Sequence, residues 1–118
     1  MTESVEALRQ YCLAMDLKDD PELIAQYRRH HQKENVWPEI TQSIRDAGIL
    51  DMQIYLTGNR LFMIMVVDQQ FTFEAKGDAD KTNAKVLEWE HLMDTFQQAL
   101  PWARPGEKWV LMEKIYSL

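Results

Sequence analysis

Tyr27, His30 and His31 are the residues of this 118-residue chain whose types and spacing best suit proton transfer. Histidine has an unperturbed pKa of about 6.5, so an imidazole can gain and lose a proton at neutral pH. Tyr27 precedes His31 by four residues, which on a helix lets both side chains point into the same space. Together a phenol and an imidazole could bind and protonate a hydroxylated ligand. The alternative is a structural role, because polar side chains on a helix's buried face are usually satisfied by hydrogen bonds.

Other kinds of chemistry have little support in the residues. The chain contains no glycine-rich phosphate-binding motif and no GxSxG nucleophile motif. Cys12 is the single cysteine; we interpret it as a buried small hydrophobic residue, in a protein of a reducing compartment. Adjacent histidines diverge by about 100° on a helix, and His91 is near no carboxylate motif. A metal site is therefore disfavoured.

Composition and charge exclude some classes of binding partner. Nineteen acidic and thirteen basic residues give a net charge of −6 and a pI of about 5.0, the wrong sign for binding a phosphate backbone. We therefore expect no nucleic-acid partner. No signal-peptide pattern and no run of roughly 18 apolar residues is present, so we expect no membrane contact and a cytoplasmic location.

The four tryptophans are many for so short a chain, and sugar sites use flat aromatic faces. Trp89 falls on a helical apolar stripe and Trp109 in a strand pattern, so both are expected in the core. Trp37 beside Pro38 and Trp102 in a loop are the freer candidates for binding a ligand.

Strands are predicted where apolar residues alternate with a period of two. The predicted strands span 11–17, 49–56, 60–67 and 108–116. Thr57-Gly58-Asn59 separates the second strand from the third, which is typical of a hairpin. The third strand is apolar on both faces, so it should be central and covered on both sides.

Helices are predicted where apolar residues recur every three or four positions. These segments span 21–34, 37–47 and 86–100. Asp20-Pro21 supplies a capping residue and a first-turn proline for the first helix, and Gly48 ends the second. The charged stretch 78–85 is expected to be a solvated loop and the start of the third helix.

This order of elements predicts one domain, 1–118, of the α+β class. The expected architecture is ferredoxin-like, an antiparallel sheet with helices on one face. The other face would be bare although it is apolar. Such a face is usually covered by a second copy, which gives a dimeric α+β barrel.

The ordered residues resemble a known family. Tyr27-Arg28-Arg29-His30-His31, then Trp37-Pro38-Glu39-Ile40, Ile54-Tyr55-Leu56 and Leu61-Phe62-Met63 resemble the L-rhamnose mutarotase family, which includes L-fucose mutarotases. The resemblance implies a homodimer without metal or cofactor. It also implies interconversion of the α and β anomers of a 6-deoxy-L-hexose monosaccharide.

The resemblance also implies site residues. Tyr27 and His31 match a sugar-binding tyrosine and a proton-donating histidine, so His31 is the expected catalytic residue. Trp37 and Tyr55 are expected to bind the sugar. Met52 replaces a family tyrosine, and Asp94 is the candidate to replace a missing pair of adjacent tryptophans. These departures cluster at expected sugar contacts and favour L-fucose over L-rhamnose.

Two other functions fit the same predicted fold. Dimeric α+β barrels also include small monooxygenases that act on bound aromatic or haem substrates, and fold alone does not exclude this chemistry. A non-catalytic dimer that binds a sugar through Trp37 and Tyr27 is the second alternative.

Overall fold

The computed structural model describes residues 8–118, and over this range the protein is an α+β fold. Its elements follow the order β1-α1-α2-β2-β3-α3-α4-β4-β5. The strands are β1 (Arg9–Leu17), β2 (Ile49–Thr57), β3 (Arg60–Val67), β4 (Gln97–Gln98) and β5 (Val110–Leu111). The helices are α1 (Pro21–His30), α2 (Pro38–Asp46), α3 (Phe73–Lys81) and α4 (Ala84–Asp94).

The sheet is antiparallel, with strand order β2-β3-β1-β4 and with β5 paired to β1. In β3, Arg60 faces Asp16 of β1 on one side and Thr57 of β2 on the other. The predicted central position of this strand is thus confirmed. The predicted hairpin is also confirmed, and Gly58 in its turn has a φ of 58°.

The core lies on one face of the sheet, which we call the inner face. Side chains of β1 and β3 such as Leu13 and Met63 point to this face because successive residues of a strand alternate. They form two buried clusters with apolar side chains of α1, α2 and α4. The predicted α+β class, with helices packed on one sheet face, is therefore confirmed.

The first helix is shorter than predicted. Asp20 caps α1 as expected, since its carboxylate accepts from the backbone N–H groups of Glu22 at 2.9 Å and Leu23 at 3.2 Å. The helix ends at His30 rather than near residue 34. The amide of Asn35 donates to the Arg29 carbonyl at 2.8 Å. If the helix continued, the Arg29 carbonyl would accept from a backbone N–H of the next turn. Here it accepts from the Asn35 side chain, so the helix can end.

The last predicted helix is also shorter. α4 ends at Asp94, and the following Gln97–Gln98 pairs with β1 instead of continuing the helix to residue 100. Phe96 and Leu100 are buried nevertheless. The apolar stripe therefore predicted burial correctly, but extending the helix through these residues was wrong.

The charged stretch 78–85 was expected to be a solvated loop and the start of a helix, and α4 does begin at Ala84. Residues 78–81, however, form the end of helix α3 rather than a loop. Thr72 caps this helix, because its hydroxyl accepts from the N–H of Ala75 at 3.0 Å. The ring of Phe73 packs against Tyr11 and Phe71, with centroids 4.9 and 5.0 Å apart. The contact with Tyr11 comes from a distant part of the chain, so the local sequence does not show it.

The predicted strand over 108–116 is mostly wrong. Only Val110–Leu111 is a paired strand, and one further bond joins the Met112 N–H to the Cys12 carbonyl at 2.7 Å. Beyond this point the chain forms no regular element up to Leu118.

The structure also reports on the burial of Cys12 and on membrane-spanning helices. Cys12 is half-buried rather than buried, which corrects the sequence interpretation. It lies in β1 opposite Ile64. Among the described residues, no helix combines the length and apolarity needed to cross a membrane.

Candidate active site

The end of α1 orients the candidate catalytic pair. His31 is the residue that caps the helix, and its backbone N–H bonds to the Arg28 carbonyl three residues earlier. Nδ1 of its imidazole lies 2.8 Å from the Tyr27 carbonyl oxygen. A carbonyl oxygen can only accept, so Nδ1 carries the proton in this bond. In neutral His31, Nε2 is then left unprotonated and can accept a proton.

Burial sets the protonation of both side chains. Burial lowers the pKa of His31 below 6.5 and His30 lowers it further, whereas the bond to the Tyr27 carbonyl opposes the shift. Burial raises the pKa of Tyr27 to about 12, against a smaller opposite effect of the Gln97 side chain. At neutral pH the site therefore holds a neutral imidazole and a protonated phenol.

A cavity of about 650 Å³ lies between the inner face of the sheet and the helices. Tyr27 and His31 line it together, and Ile54 and Met63, which are cross-strand neighbours, lie on its sheet side. The volume is within the range of roughly 300–1,000 Å³ typical of small-molecule sites. A small molecule bound in this cavity would lie beside Tyr27 and His31.

Aromatic rings surround His31. Its imidazole lies against the ring of Tyr27, with centroids 4.2 Å apart, and against Trp89 at 5.6 Å. Trp89 and Trp109 both line the cavity and are half-buried. The sequence analysis assigned both tryptophans to the core. Both do pack against the buried clusters, and their cavity-facing surfaces also offer an apolar surface against which a ligand ring could pack.

Of the other predicted sugar contacts, Met52 alone lines the cavity. Trp37 lies behind the cavity wall, where its ring packs on Trp89 with centroids 5.1 Å apart. Tyr55 is 55% exposed, and its hydroxyl donates to Gln53 on the same strand. Asp94 forms an ion pair with Lys108 at 2.5 Å. Within this single chain, Trp37, Tyr55 and Asp94 therefore lie outside the cavity lining.

Glu90 is a cavity residue that the sequence analysis missed. Its half-buried side chain lines the cavity, and it shares a helix face with the buried residues Val86 and Met93. No hydrogen bond or ion pair to its carboxylate is present among residues 8–118. The spacing of Glu90 from Val86 and Met93 was the available signal, because a carboxylate on an apolar stripe needs a polar partner.

The other histidines lie apart from the cavity lining. His30 packs against Phe96, with ring centroids 5.5 Å apart, and against Trp89 at 6.3 Å. Within the described range, no group of three or more His, Cys, Asp or Glu side chains is arranged to hold a metal ion. Of the two adjacent histidines, the geometry therefore favours His31 as the reactive one.

Comparison with known proteins identifies the family. A family model described as L-rhamnose mutarotase matches residues 10–118. The chain belongs to the L-rhamnose mutarotase family. This membership confirms the resemblance carried by the residues around Tyr27 and His31.

Individual relatives support the same family. An L-fucose mutarotase from Xanthomonas campestris pv. campestris is 41% identical over 112 residues, which cover 95% of this chain and 90% of the relative. An L-rhamnose mutarotase from Acidiphilium cryptum is 39% identical over 44 residues, 37% of this chain and 40% of the relative. The crystal structure of an L-rhamnose mutarotase from Formosa agariphila matches the fold with a TM-score of 0.67 at 19% identity, covering 93% of this chain and 98% of that one.

Proposed function

We propose that this protein is a mutarotase that interconverts the α and β anomers of a 6-deoxy-L-hexose. The observation that carries the proposal is the bond from His31 Nδ1 to the Tyr27 carbonyl, at the wall of a sugar-sized cavity. This bond leaves Nε2 as a proton acceptor. Membership of the mutarotase family supports the assignment of an isomerase.

In the proposed reaction, the pyranose ring opens by a balanced exchange of protons. Nε2 of His31 accepts the proton of the anomeric hydroxyl as the bond between C1 and the ring oxygen breaks. The Tyr27 hydroxyl gives its proton to the ring oxygen, so the products are an open-chain aldehyde, an imidazolium and a phenolate. Tyr27 suits this role because its raised pKa keeps it protonated at neutral pH.

Ring closure reverses these transfers after rotation about the bond between C1 and C2. The ring oxygen attacks either face of the aldehyde and returns its proton to Tyr27, while the His31 imidazolium donates its proton to the carbonyl oxygen. His31 is therefore an acceptor in opening and a donor in closure. The second step matches the proton-donating role that the resemblance implies. The chemistry as written uses neither a metal ion nor a cofactor.

L-fucose is the substrate we propose. The chain has Met52 in the cavity, where the resemblance implies a tyrosine, so it lacks a hydroxyl at that point of the lining. The relative that is 41% identical over nearly the whole chain is named an L-fucose mutarotase. Both observations favour L-fucose over L-rhamnose.

We further propose that the protein is a homodimer that works in the cytoplasm. The dimer rests on the family resemblance and on the half-buried apolar residues Phe62, Ile64 and Val66 on the face of β3 opposite the core. The cytoplasmic location rests on the sequence, since a single cysteine suits a reducing compartment.

Exchange NMR tests the activity. Magnetisation transfer between the two anomeric protons is followed in equilibrated L-fucose and L-rhamnose, with and without catalytic amounts of protein. We expect faster exchange for L-fucose than for L-rhamnose. Faster exchange for L-rhamnose alone would contradict the substrate assignment. Saturable binding with no acceleration for either sugar would instead support a non-catalytic sugar-binding protein.

A further inference from the structure

The cavity extends well beyond the catalytic pair. Its wall in β2 runs from Ile54, which packs against the cluster that contains Tyr27, to Ile49. These two residues pair with Met63 and Val67 of β3. At about 3.3 Å per residue along β3, the wall is about 13 Å long. A single pyranose ring beside the catalytic pair would therefore fill only part of the cavity.

The other end of the cavity lies beside α3, and we call it the α3 end. Phe71, just before this helix, packs in one cluster with Ile49. Of the residues of α3, Lys76, Gly77 and Asp80 are half-buried and the others are exposed. The two charged residues line the cavity. Because positions four apart share a helix face, α3 turns an ion pair towards the cavity, and apolar packing does not account for this face.

The ion pair of Lys76 and Asp80 has unused capacity for hydrogen bonds. Nζ lies 2.6 Å from Oδ1, and the side chains are only 19% and 20% exposed. Within residues 8–118, this is the only hydrogen bond that either side chain makes. A lysine has three N–H donors and a carboxylate has about four acceptor sites. Both groups can therefore bind a ligand while the ion pair remains intact.

The charges at the α3 end favour a neutral ligand. Arg45 and Asp51 also line the cavity, and both lie within four residues of Ile49 in the chain. Together with the ion pair, they give this end two basic and two acidic side chains. A phosphate would be attracted by the two cations but repelled by the two carboxylates. A sugar hydroxyl both donates and accepts, so it can bind an ammonium and a carboxylate side by side.

We propose that the α3 end is a second subsite, which binds a neutral sugar unit attached to the 6-deoxy-L-hexose beside His31. The inference rests on the proposed mutarotase function and extends its substrate to a reducing disaccharide. Only the reducing unit reacts, because only its anomeric carbon carries a free hydroxyl. The second unit adds hydrogen bonds to Lys76 and Asp80 and leaves the proton transfers at the catalytic pair unchanged.

Exchange NMR with disaccharides tests the subsite. A panel of reducing disaccharides carries a glucosyl or galactosyl unit on each non-anomeric ring hydroxyl of L-fucose in turn. Hydrogen bonds from the second unit to the ion pair involve charged groups, which makes them stronger than neutral ones. We therefore expect kcat/KM for at least one disaccharide to exceed that for L-fucose about tenfold or more. A lower kcat/KM for every disaccharide than for L-fucose would refute the subsite.

Variants of the ion pair and a control on the same helix locate the effect. Lys76→Met and Asp80→Asn should each lower the ratio of kcat/KM for the preferred disaccharide to that for L-fucose about tenfold. Lys81→Met is the control, because the Lys81 side chain is 79% exposed and lies 3.9 Å from Asp78 on the surface. It should leave the ratio unchanged, and circular dichroism checks the folding of all three variants. An unchanged ratio in both ion-pair variants, or an equal loss in the control, would contradict the assignment.

Titration calorimetry distinguishes failure of the subsite from failure of the proposed function. If the protein accelerates anomer exchange for no sugar, the mutarotase function is refuted, but the binding of the disaccharides and of L-fucose can still be compared. A lower Kd for a disaccharide, raised again by Lys76→Met, would then support the subsite. A Kd no lower than that of L-fucose for any disaccharide would overturn it.

Discussion

The imidazole of His31 donates from Nδ1 to the carbonyl oxygen of Tyr27, 2.8 Å away and four residues earlier in the chain. That carbonyl is free because α1 ends at His30 and the backbone N–H of His31 turns to Arg28 instead. The end of a helix thus fixes which ring nitrogen carries the proton. It leaves the other nitrogen free for a substrate.

The adjacent histidines provide a matched pair of variants. His31→Gln should lower the rate of catalysed anomer exchange by about 10²-fold or more, because it removes the acid–base group. His30→Gln should change the rate less than about threefold, since His30 packs on Phe96 outside the cavity lining. The rates are measured by exchange NMR. Equal losses in both variants would contradict the assignment of His31 as the reacting histidine.

The pH dependence follows from the lowered pKa of His31. Only the unprotonated imidazole accepts the anomeric proton, so kcat/KM should rise with pH through an inflection below 6.5. Because the pKa of Tyr27 is about 12, the plateau should extend through pH 10.0, where an ordinary tyrosine is half ionised. The profile is measured after subtracting the uncatalysed rate. A value of kcat/KM that falls as the pH rises through the inflection would show that the protonated form is the active one.

Glu90 is expected to bind a sugar hydroxyl. A hydrogen bond from a ligand hydroxyl to a carboxylate is stronger than one to a neutral amide, and it stabilises a carboxylate in a partly apolar wall. Glu90→Gln should therefore raise KM about tenfold with little change in kcat. Glu88→Gln is the matched control, because Glu88 is exposed and pairs with Lys85 on the surface. The KM and kcat of both variants are measured from saturation curves. An unchanged KM in Glu90→Gln would place the carboxylate outside the sugar contact.

Two glycines should respond in opposite ways to alanine. Gly48 has a φ of 95°, and an added Cβ would lie 2.5 Å from Oδ1 of Asp68. Gly48→Ala should therefore lower the free energy of unfolding by about 1–3 kcal/mol. Gly77 lies inside α3 with open space at its Cβ, so Gly77→Ala should raise it by about 0.5–1 kcal/mol. Urea denaturation measures the free energy of unfolding of each variant. Changes of the same sign in the two variants would contradict the prediction.

Local features of the sequence predicted much of the framework. The Asp20 cap, the Thr57-Gly58-Asn59 turn and the apolar run of β3 depend on neighbouring residues, and the structure has all three. That Tyr27 and His31 share one face of the chain also follows from their spacing of four residues. In each case the forces act between residues close together in the chain, so the sequence alone was sufficient.

Other features depend on contacts between distant residues. α3 has no clear apolar stripe and is held partly by Phe73 against Tyr11. Gln97–Gln98 leaves the predicted helix to pair with β1. Local periodicity predicts which side chains of a segment are buried. It does not predict which other element of the chain packs against them.

By itself, the sequence determined the α+β class, the family resemblance and the pair Tyr27 and His31. The tertiary structure decided the rest of the site: Trp109 and Glu90 line the cavity, whereas Asp94 is paired with Lys108. Which side chains meet in a cavity depends on how helices and strands pack across the sheet. The protonation of His31 likewise depends on its burial and on one carbonyl at the end of α1.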